Sequence, residues 1–254
     1  KDRPRDCKMS NETEILYGIN LSKEVIANRS DDVISLHVTS TRKDKRLNEL
    51  IQTAESKNIS IHTEEDDFFK SYDADHKAKV CIKCKIRREE KESFLKDLIK
   101  KDKLLLLILD HLTDPQNVGA CLRSAAAAGV DAVIAPKNRS CHLTPTVRRV
   151  SSGYSELIPF VVVTNLNRTL NFLYESGIEI IGSDSSSEHE YNAVEYTNKT
   201  AFVIGSEDKG MKRLTKENCS QLIKIPMANN VESLNASVSA GIILFEFLRQ
   251  KSAK

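Results

Sequence analysis

The stretch Leu104-Leu105-Leu106-Leu107-Ile108-Leu109-Asp110-His111-Leu112-Thr113-Asp114-Pro115-Gln116-Asn117-Val118-Gly119-Ala120 decides the fold of this chain. The apolar run from Leu104 to Leu109 is far shorter than the roughly 18 residues of a membrane span. It has the length of a strand buried on both faces. Asp114-Pro115 then supplies a capping carboxylate and a proline at the first helical position, and Gly129 closes the helix. A doubly buried strand followed by a helix is the repeating unit of a parallel sheet covered on both sides.

The unit recurs to the end of the chain. Apolar strands are predicted near 104–109, 131–135, 159–163, 178–182, 201–204 and 222–226, with helices between them. Thr144-Pro145 repeats the capping device, and Gly177 ends a helix that begins near Asn167. Residues 104–254 are therefore expected to form an α/β domain with a mostly parallel six-stranded sheet and helices on both faces.

Working back towards the N-terminus, residues 88–103 are rich in Lys, Glu and Asp and are predicted to be a linker that can hold a helical turn. Residues 14–87 read as a smaller α/β unit. Tyr17 to Ala27 is predicted helical, Val33 to Val38 alternates as a strand, and Leu47, Leu50, Ile51 and Ala54 mark one helix face. Ile59 to His62 and Val80 to Ile86 are predicted strands. Residues 1–13 are polar and are expected to be a flexible tail.

Composition narrows the function classes. The 38 Lys and Arg against 36 Asp and Glu leave a net charge of +2, so global charge does not announce a nucleic-acid binder. Local clusters such as Arg139, Arg148 and Arg149 read first as solvated faces. Six cysteines without disulfide-like spacing fit a reducing, cytoplasmic setting. The lone Cys81-x-x-Cys84 has only His76 near it, so it reads as strand rather than zinc site, and no metal is expected. No signal peptide or membrane span is visible.

Ligands of parallel sheets gather beyond the carboxyl ends of the strands. Three polar loops lie there: Asp110 to Ala120 leading to Arg123, Gly205 to Gly210, and Met227 to Asn235. No GxGxxG or P-loop fingerprint follows a strand, which excludes the standard phosphate cradles. One at a time, the polar residues have plain structural readings. Arg123 fits a snorkelling helix residue, and Asn117, Ser233 and Asn235 fit helix caps. Glu207 fits an exposed turn. His111 and His142 read as loop histidines.

Together the loops say more. Asp114-Pro115-Gln116-Asn117-Val118-Gly119-Ala120-Cys121-Leu122-Arg123-Ser124, Ile204-Gly205-Ser206-Glu207-Asp208-Lys209-Gly210-Met211, and Ile225-Pro226-Met227 through Ser233-Leu234-Asn235-Ala236-Ser237-Val238 stand in one order. They resemble the three motifs of the SpoU family of RNA 2′-O-ribose methyltransferases, in the SPOUT superfamily. Pro136 to Ser140 and Gly210 to Thr215 further resemble the subgroup that methylates a guanosine ribose in 23S-type ribosomal RNA. The N-terminal unit resembles the family's RNA substrate-binding domain, although His76-Lys77-Ala78 stands where that group carries His-Gln-Gly.

The resemblance implies a deep trefoil knot in the C-terminal domain, S-adenosyl-L-methionine as cofactor, ribosomal RNA as partner, and a homodimer paired through the apolar last helix. It implies that Gly205, Ile225, Met227 and Leu234 line the cofactor pocket. It also implies that Asn117, Arg123, Glu207, Ser233 and Asn235 occupy the catalytic positions. A guanidinium stays protonated in proteins, so Arg123 fits a phosphate clamp that lowers the hydroxyl's pKa better than a base. Asn117 and Glu207 are then expected to orient Arg123 or the loop. Two alternatives share the pattern: a tRNA ribose methyltransferase of the same family, and a non-catalytic RNA-binding ribosome-assembly protein. The presence of all five polar motif residues disfavours the second.

Overall fold

The apolar alternation of the first third of the chain builds a mixed four-stranded sheet. Its elements are β1 (Thr13–Tyr17), α1 (Ile19–Arg29), β2 (Val33–Thr39), α2 (Lys45–Ser56), β3 (Ser60–Glu64), α3 (Asp66–Lys70) and β4 (Val80–Lys85). The structure, a computed structural model, describes residues 13–41, 44–70, 79–206, 209–229 and 231–252. They fall into two units, one through Arg88 and one from Glu89.

In the first unit the strand order is β1-β4-β2-β3, with β2 and β3 parallel and the other pairs antiparallel. Leu16, Leu36, Val38, Val80 and Ile82 pack with Val25, Ile26, Leu47 and Leu50 of α1 and α2. Asp44 caps α2 by accepting the Leu47 N–H at 3.1 Å. The predicted helix from Tyr17 is corrected here. Ile15 to Tyr17 pair with β4, and the chain turns at Gly18 (φ 111°) before α1 opens at Ile19. That φ lies where a side chain is strained, so Gly18 separates the two elements. Cys81 and Cys84 stand three residues apart in β4 and point to opposite faces, which prevents them from sharing a metal. Burial pushes the Cys81 thiol up to about 12, with help from Glu64. His76 and the His-Lys-Ala step lie outside the described residues.

The second unit contains β5 (Glu90–Lys91), α4 (Leu95–Leu98), β6 (Leu104–Asp110), α5 (Pro115–Ala127), β7 (Ala132–Pro136), α6 (Pro145–Val150), β8 (Phe160–Val163), α7 (Leu166–Glu175), β9 (Glu179–Ser183), β10 (Lys199–Gly205), α8 (Arg213–Glu217), β11 (Gln221–Ile223) and α9 (Ala236–Ser252). The sheet runs β11-β9-β10-β6-β7-β8-β5, and every pairing in it is parallel.

Two expectations are corrected. The sheet has seven strands instead of six, because β5 pairs with β8 at its edge. The segment 88–103 is therefore not a free linker but part of this unit. Its many charges hide two apolar residues one helical turn apart, Leu95 and Leu98, and both are buried.

Both faces of the sheet are covered, as the doubly apolar strands require. Leu105, Leu107 and Leu109 of β6 pack with Val118, Cys121 and Leu122 of α5 and with Ala240, Ile243 and Leu244 of α9. Leu104, Leu106 and Ile108 point the other way, towards Leu95, Leu98, Leu166, Leu170 and Leu173. Each such buried leucine contributes about 1.5–3 kcal/mol relative to exposure. Asp114 accepts the Gln116 N–H at 3.0 Å, Thr144 the Val147 N–H at 3.3 Å and Asn165 the Arg168 N–H at 3.1 Å, so these three caps set the starts of α5, α6 and α7.

The basic cluster around Arg148 is corrected as well. Arg148 is 1 % exposed and donates to Glu156 at 2.6 Å, so it holds α6 against the turn that follows and offers no charge to solvent. Among the described residues, no helix is long and apolar enough to cross a membrane, and no cluster of His, Cys, Asp or Glu is suited to hold a metal ion.

Candidate functional site

The parallel register brings the polar loops to one edge of the sheet. Gly205 at the end of β10 lies opposite Asp110 at the end of β6, and Ser183 at the end of β9 lies opposite Ile223 at the end of β11. Chain segments leaving three of these ends, those of β9, β10 and β11, bound a cavity of about 310 Å³. That is the size of a small-molecule site.

All four residues expected to hold a cofactor, Gly205, Ile225, Met227 and Leu234, line this one cavity. The predicted strand over 222–226 stops at Ile223, which leaves Ile225 in the loop with its neighbours. At Gly205 a side chain is impossible. An added Cβ meets the Gly210 carbonyl carbon and the Met211 nitrogen at 2.2 Å. The loop doubles back this closely because Ser206 and Gly210 exchange backbone hydrogen bonds of 3.2 and 2.8 Å, and Gly210 takes φ 62°. The cavity floor is thus backbone and short side chains, which suits a flat heterocycle read by N–H and C=O groups.

The five expected catalytic residues separate. Ser233 lines the cavity. Asn235 does not, but it ties the third loop to the first: its Nδ2 donates to Asn117 Oδ1 at 2.8 Å. Its Oδ1 meanwhile accepts the Ser237 N–H at 3.0 Å and the Ser237 hydroxyl at 2.6 Å, so Asn235 also caps α9. Asn117 is buried in the first turn of α5. Arg123 is exposed and, among the described residues, makes no hydrogen bond or ion pair. Six residues along a helix turn a side chain about 120° away. Of the two expected roles of Asn117, orienting Arg123 or the loop, its partner Asn235 fits the second. Glu207 lies outside the described residues.

His111 and His142 are both engaged. His111 sits at φ 61° with its Nδ1 paired to the buried Asp110 carboxylate and its Nε2 2.6 Å from Lys212 Nζ. Asp110 also accepts the Lys212 backbone N–H at 2.8 Å, which anchors the end of the second loop to the end of β6. His142 Nδ1 lies 3.2 Å from Glu89 Oε2, and its Nε2 lies 3.3 Å from the Pro136 carbonyl oxygen.

Sequence reasoning missed one wall of the cavity, made by Ser183 at the end of β9, by Asp184 and Ser185 after it, and by Lys216 on α8. Asp184 is ion-paired with Lys216. Burial pushes the Asp184 carboxyl up, but Lys216 and Ser186 outweigh it and hold the group below the usual carboxylate range. The signal was present: Gly182 to Ser187 is a run of small polar residues after an apolar strand, at the same end of the sheet as the other loops.

Comparison with known proteins gives a consistent answer. The model of the SpoU rRNA Methylase family matches residues 104–245. The chain is 42% identical over 243 residues to the 23S rRNA (guanosine-2′-O-)-methyltransferase RlmB of Escherichia coli (strain K12), covering 94% of this chain and 100% of that protein. It is 40% identical over 248 residues to the RlmB of Vibrio parahaemolyticus, covering 96% and 99%. Among solved structures, the SpoU methyltransferase AviRb from Streptomyces viridochromogenes in complex with AdoMet superposes with a TM-score of 0.79 at 21% identity, over 95% of this chain and 92% of that one. The A. aeolicus TrmH/SpoU tRNA modifying enzyme superposes with a TM-score of 0.55 at 28% identity, over 64% of this chain and 84% of that one.

Proposed function

This chain belongs to the SpoU rRNA methylase family, and on that premise we propose that it methylates the ribose 2′-hydroxyl of a guanosine in 23S-type ribosomal RNA, using S-adenosyl-L-methionine. The observation that carries the reading is the end-to-end match, at 42% identity, to a 23S rRNA guanosine-2′-O-methyltransferase. The tRNA alternative is weaker, since the tRNA-modifying relative covers only 64% of this chain.

The residues present fit the cofactor. The cavity at the strand ends has a backbone floor at Gly205, where any Cβ is excluded, and apolar contacts at Ile225, Met227 and Leu234. These four would hold the adenine. When bound, S-adenosyl-L-methionine supplies an electrophilic methyl group on a sulfonium.

The protein's own task is then alignment and proton management. Ser233 at the cavity rim would position the substrate ribose. Asn235 and Asn117 fix the third loop against α5 so that this rim does not drift. Arg123, exposed and uncommitted among the described residues, would clamp an RNA phosphate and favour the ionised hydroxyl electrostatically. Glu207 would steady the second loop.

The remaining expectations belong to the same proposal. The unit through Arg88 would bind the RNA substrate, and the strands around β9, β10 and β11 with α9 would form a deep trefoil knot. A homodimer would pair through α9, where Val238 and Phe245, one heptad apart, are 47 and 50 % exposed. The protein would work in the cytoplasm. Mapping 2′-O-methyl groups in RNA from cells with and without the protein tests the reading. A guanosine methylation lost from 23S-type RNA supports it, and a loss confined to tRNA selects the alternative.

A further inference from the structure

The cavity wall carries one ion pair that lies outside all three motifs. Asp184 is the first residue after β9, and β9 lies between β10 and β11. Asp184 therefore stands between the loop that leaves Gly205 and the loop that leads to Ile225. Its backbone is fixed by donation of its N–H to the Ile223 carbonyl at 2.8 Å. Its side chain is 8 % exposed and lines the cavity together with Lys216.

We infer that Asp184 accepts a hydrogen bond from a ribose hydroxyl of the bound S-adenosyl-L-methionine. The inference rests on the methyltransferase reading and adds a specificity residue to it. A carboxylate only accepts, so it must face a donor of the cofactor: the adenine amino group, the ribose hydroxyls or the α-ammonium. On the methyltransferase reading the Gly205 and Ile225 loops, which line the cavity, would read the adenine, and the ribose is the part attached to it.

The partners of Asp184 decide between the two remaining donors. Its Oδ1 already accepts the Ser186 N–H at 3.0 Å and the Ser186 hydroxyl at 2.6 Å. Its Oδ2 is paired with Lys216. A carboxylate has about four acceptor sites, so Oδ2 retains room for one more donor. A second cation beside the Lys216 ammonium is repelled, whereas a neutral hydroxyl is not. The ribose is the donor that suits an oxygen whose charge is already matched.

The test is calorimetric binding of S-adenosylhomocysteine and of its 2′-deoxy and 3′-deoxy analogues to the full chain. For the wild-type protein, at least one deoxy analogue is expected to bind about 10- to 100-fold more weakly, the size of a hydrogen bond to a charged group. Asp184→Ala is expected to weaken S-adenosylhomocysteine by a similar factor and to lose most of the deoxy penalty. If the wild-type protein binds both analogues as tightly as the parent compound, or if the variant keeps the full penalty, the inference is overturned while the methyltransferase reading stands. If the wild-type protein binds no S-adenosylhomocysteine, both fall. The analogue series on the wild-type protein needs no variant to fold.

Discussion

The side-chain amide of Asn235 donates to the side-chain oxygen of Asn117 at 2.8 Å, joining residues 118 positions apart in the chain. One residue opens the last helix and the other lies in the first turn of α5. Their bond pins the cofactor-side loop to the helix that carries Arg123, so the two halves of the site share one rigid joint. Asn117→Ala, Asn235→Ala and the double variant should form a cycle with a coupling of about 1 kcal/mol in urea unfolding. Strict additivity of the two single losses contradicts the joint.

Gly205 is where backbone crowding is greatest. A methyl group there meets main-chain atoms of Gly210 and Met211 at 2.2 Å, which no side-chain rotation relieves. Gly205→Ala should therefore force the second loop open and weaken S-adenosylhomocysteine binding by at least about tenfold, since a 1 Å misplacement is costly in a preorganised site. Wild-type affinity in that variant shows that the loop does not form the cavity floor.

Arg148 and Glu156 form a pair in which both side chains are almost fully buried. Breaking such a pair leaves a charge without compensation and typically costs about 3–5 kcal/mol. Glu156→Ala should lower stability by that amount in chemical denaturation. A change under about 1 kcal/mol contradicts a structural role for the pair and returns Arg148 to the basic surface.

The Asp184–Lys216 pair gives a pH signature. In the folded wild-type protein the carboxyl lies below its usual range, because Lys216 and Ser186 outweigh burial. Such a group contributes stability that is complete above its unfolded pKa of about 4 and is lost as pH falls through the lower folded value. Lys216→Met leaves burial opposed by Ser186 alone, so the folded pKa rises. Between the lower wild-type value and this raised value, the wild type has gained the stability of its charged carboxylate and the variant has not. Thermal melts should show a gap between wild type and variant that widens across this range and is constant above it. A gap independent of pH contradicts the ion pair.

How much of this was legible in the chain depends on how local each signal is. The strand at Leu104 to Asp110 and the caps at Asp114 and Thr144 are set by adjacent residues and are legible to within a residue, whereas α7, expected to begin near Asn167, opens at Leu166 behind a cap, Asn165, that the sequence reading did not name. The helical turn allowed for in 88–103 stands at α4, but its attachment to the sheet was not legible: two buried leucines, Leu95 and Leu98, are diluted by charged neighbours, and a two-residue edge strand such as β5 has no period to detect. The motif residues that line the cavity could be named in advance because three loops repeat one family pattern. The loop of Asp184 carries the same kind of local signal, but its pairing with Lys216 does not, because 32 residues separate the two in the chain and only the β9–β10–β11 arrangement brings them together. The choice of Asn235 as a partner of Asn117 is likewise tertiary: the residue that opens α9 is 118 positions away and helix spacing alone cannot foresee it.

The most direct measurement is methyl transfer itself. The full chain is incubated with methyl-labelled S-adenosyl-L-methionine and 23S ribosomal RNA from cells lacking the modification, and the nucleosides are resolved by mass spectrometry. The expected result is label in 2′-O-methylguanosine from a single site, abolished in large part by Arg123→Lys although that variant still binds S-adenosylhomocysteine. Label on a base instead of a ribose, or no transfer by a protein that binds the cofactor, contradicts the account.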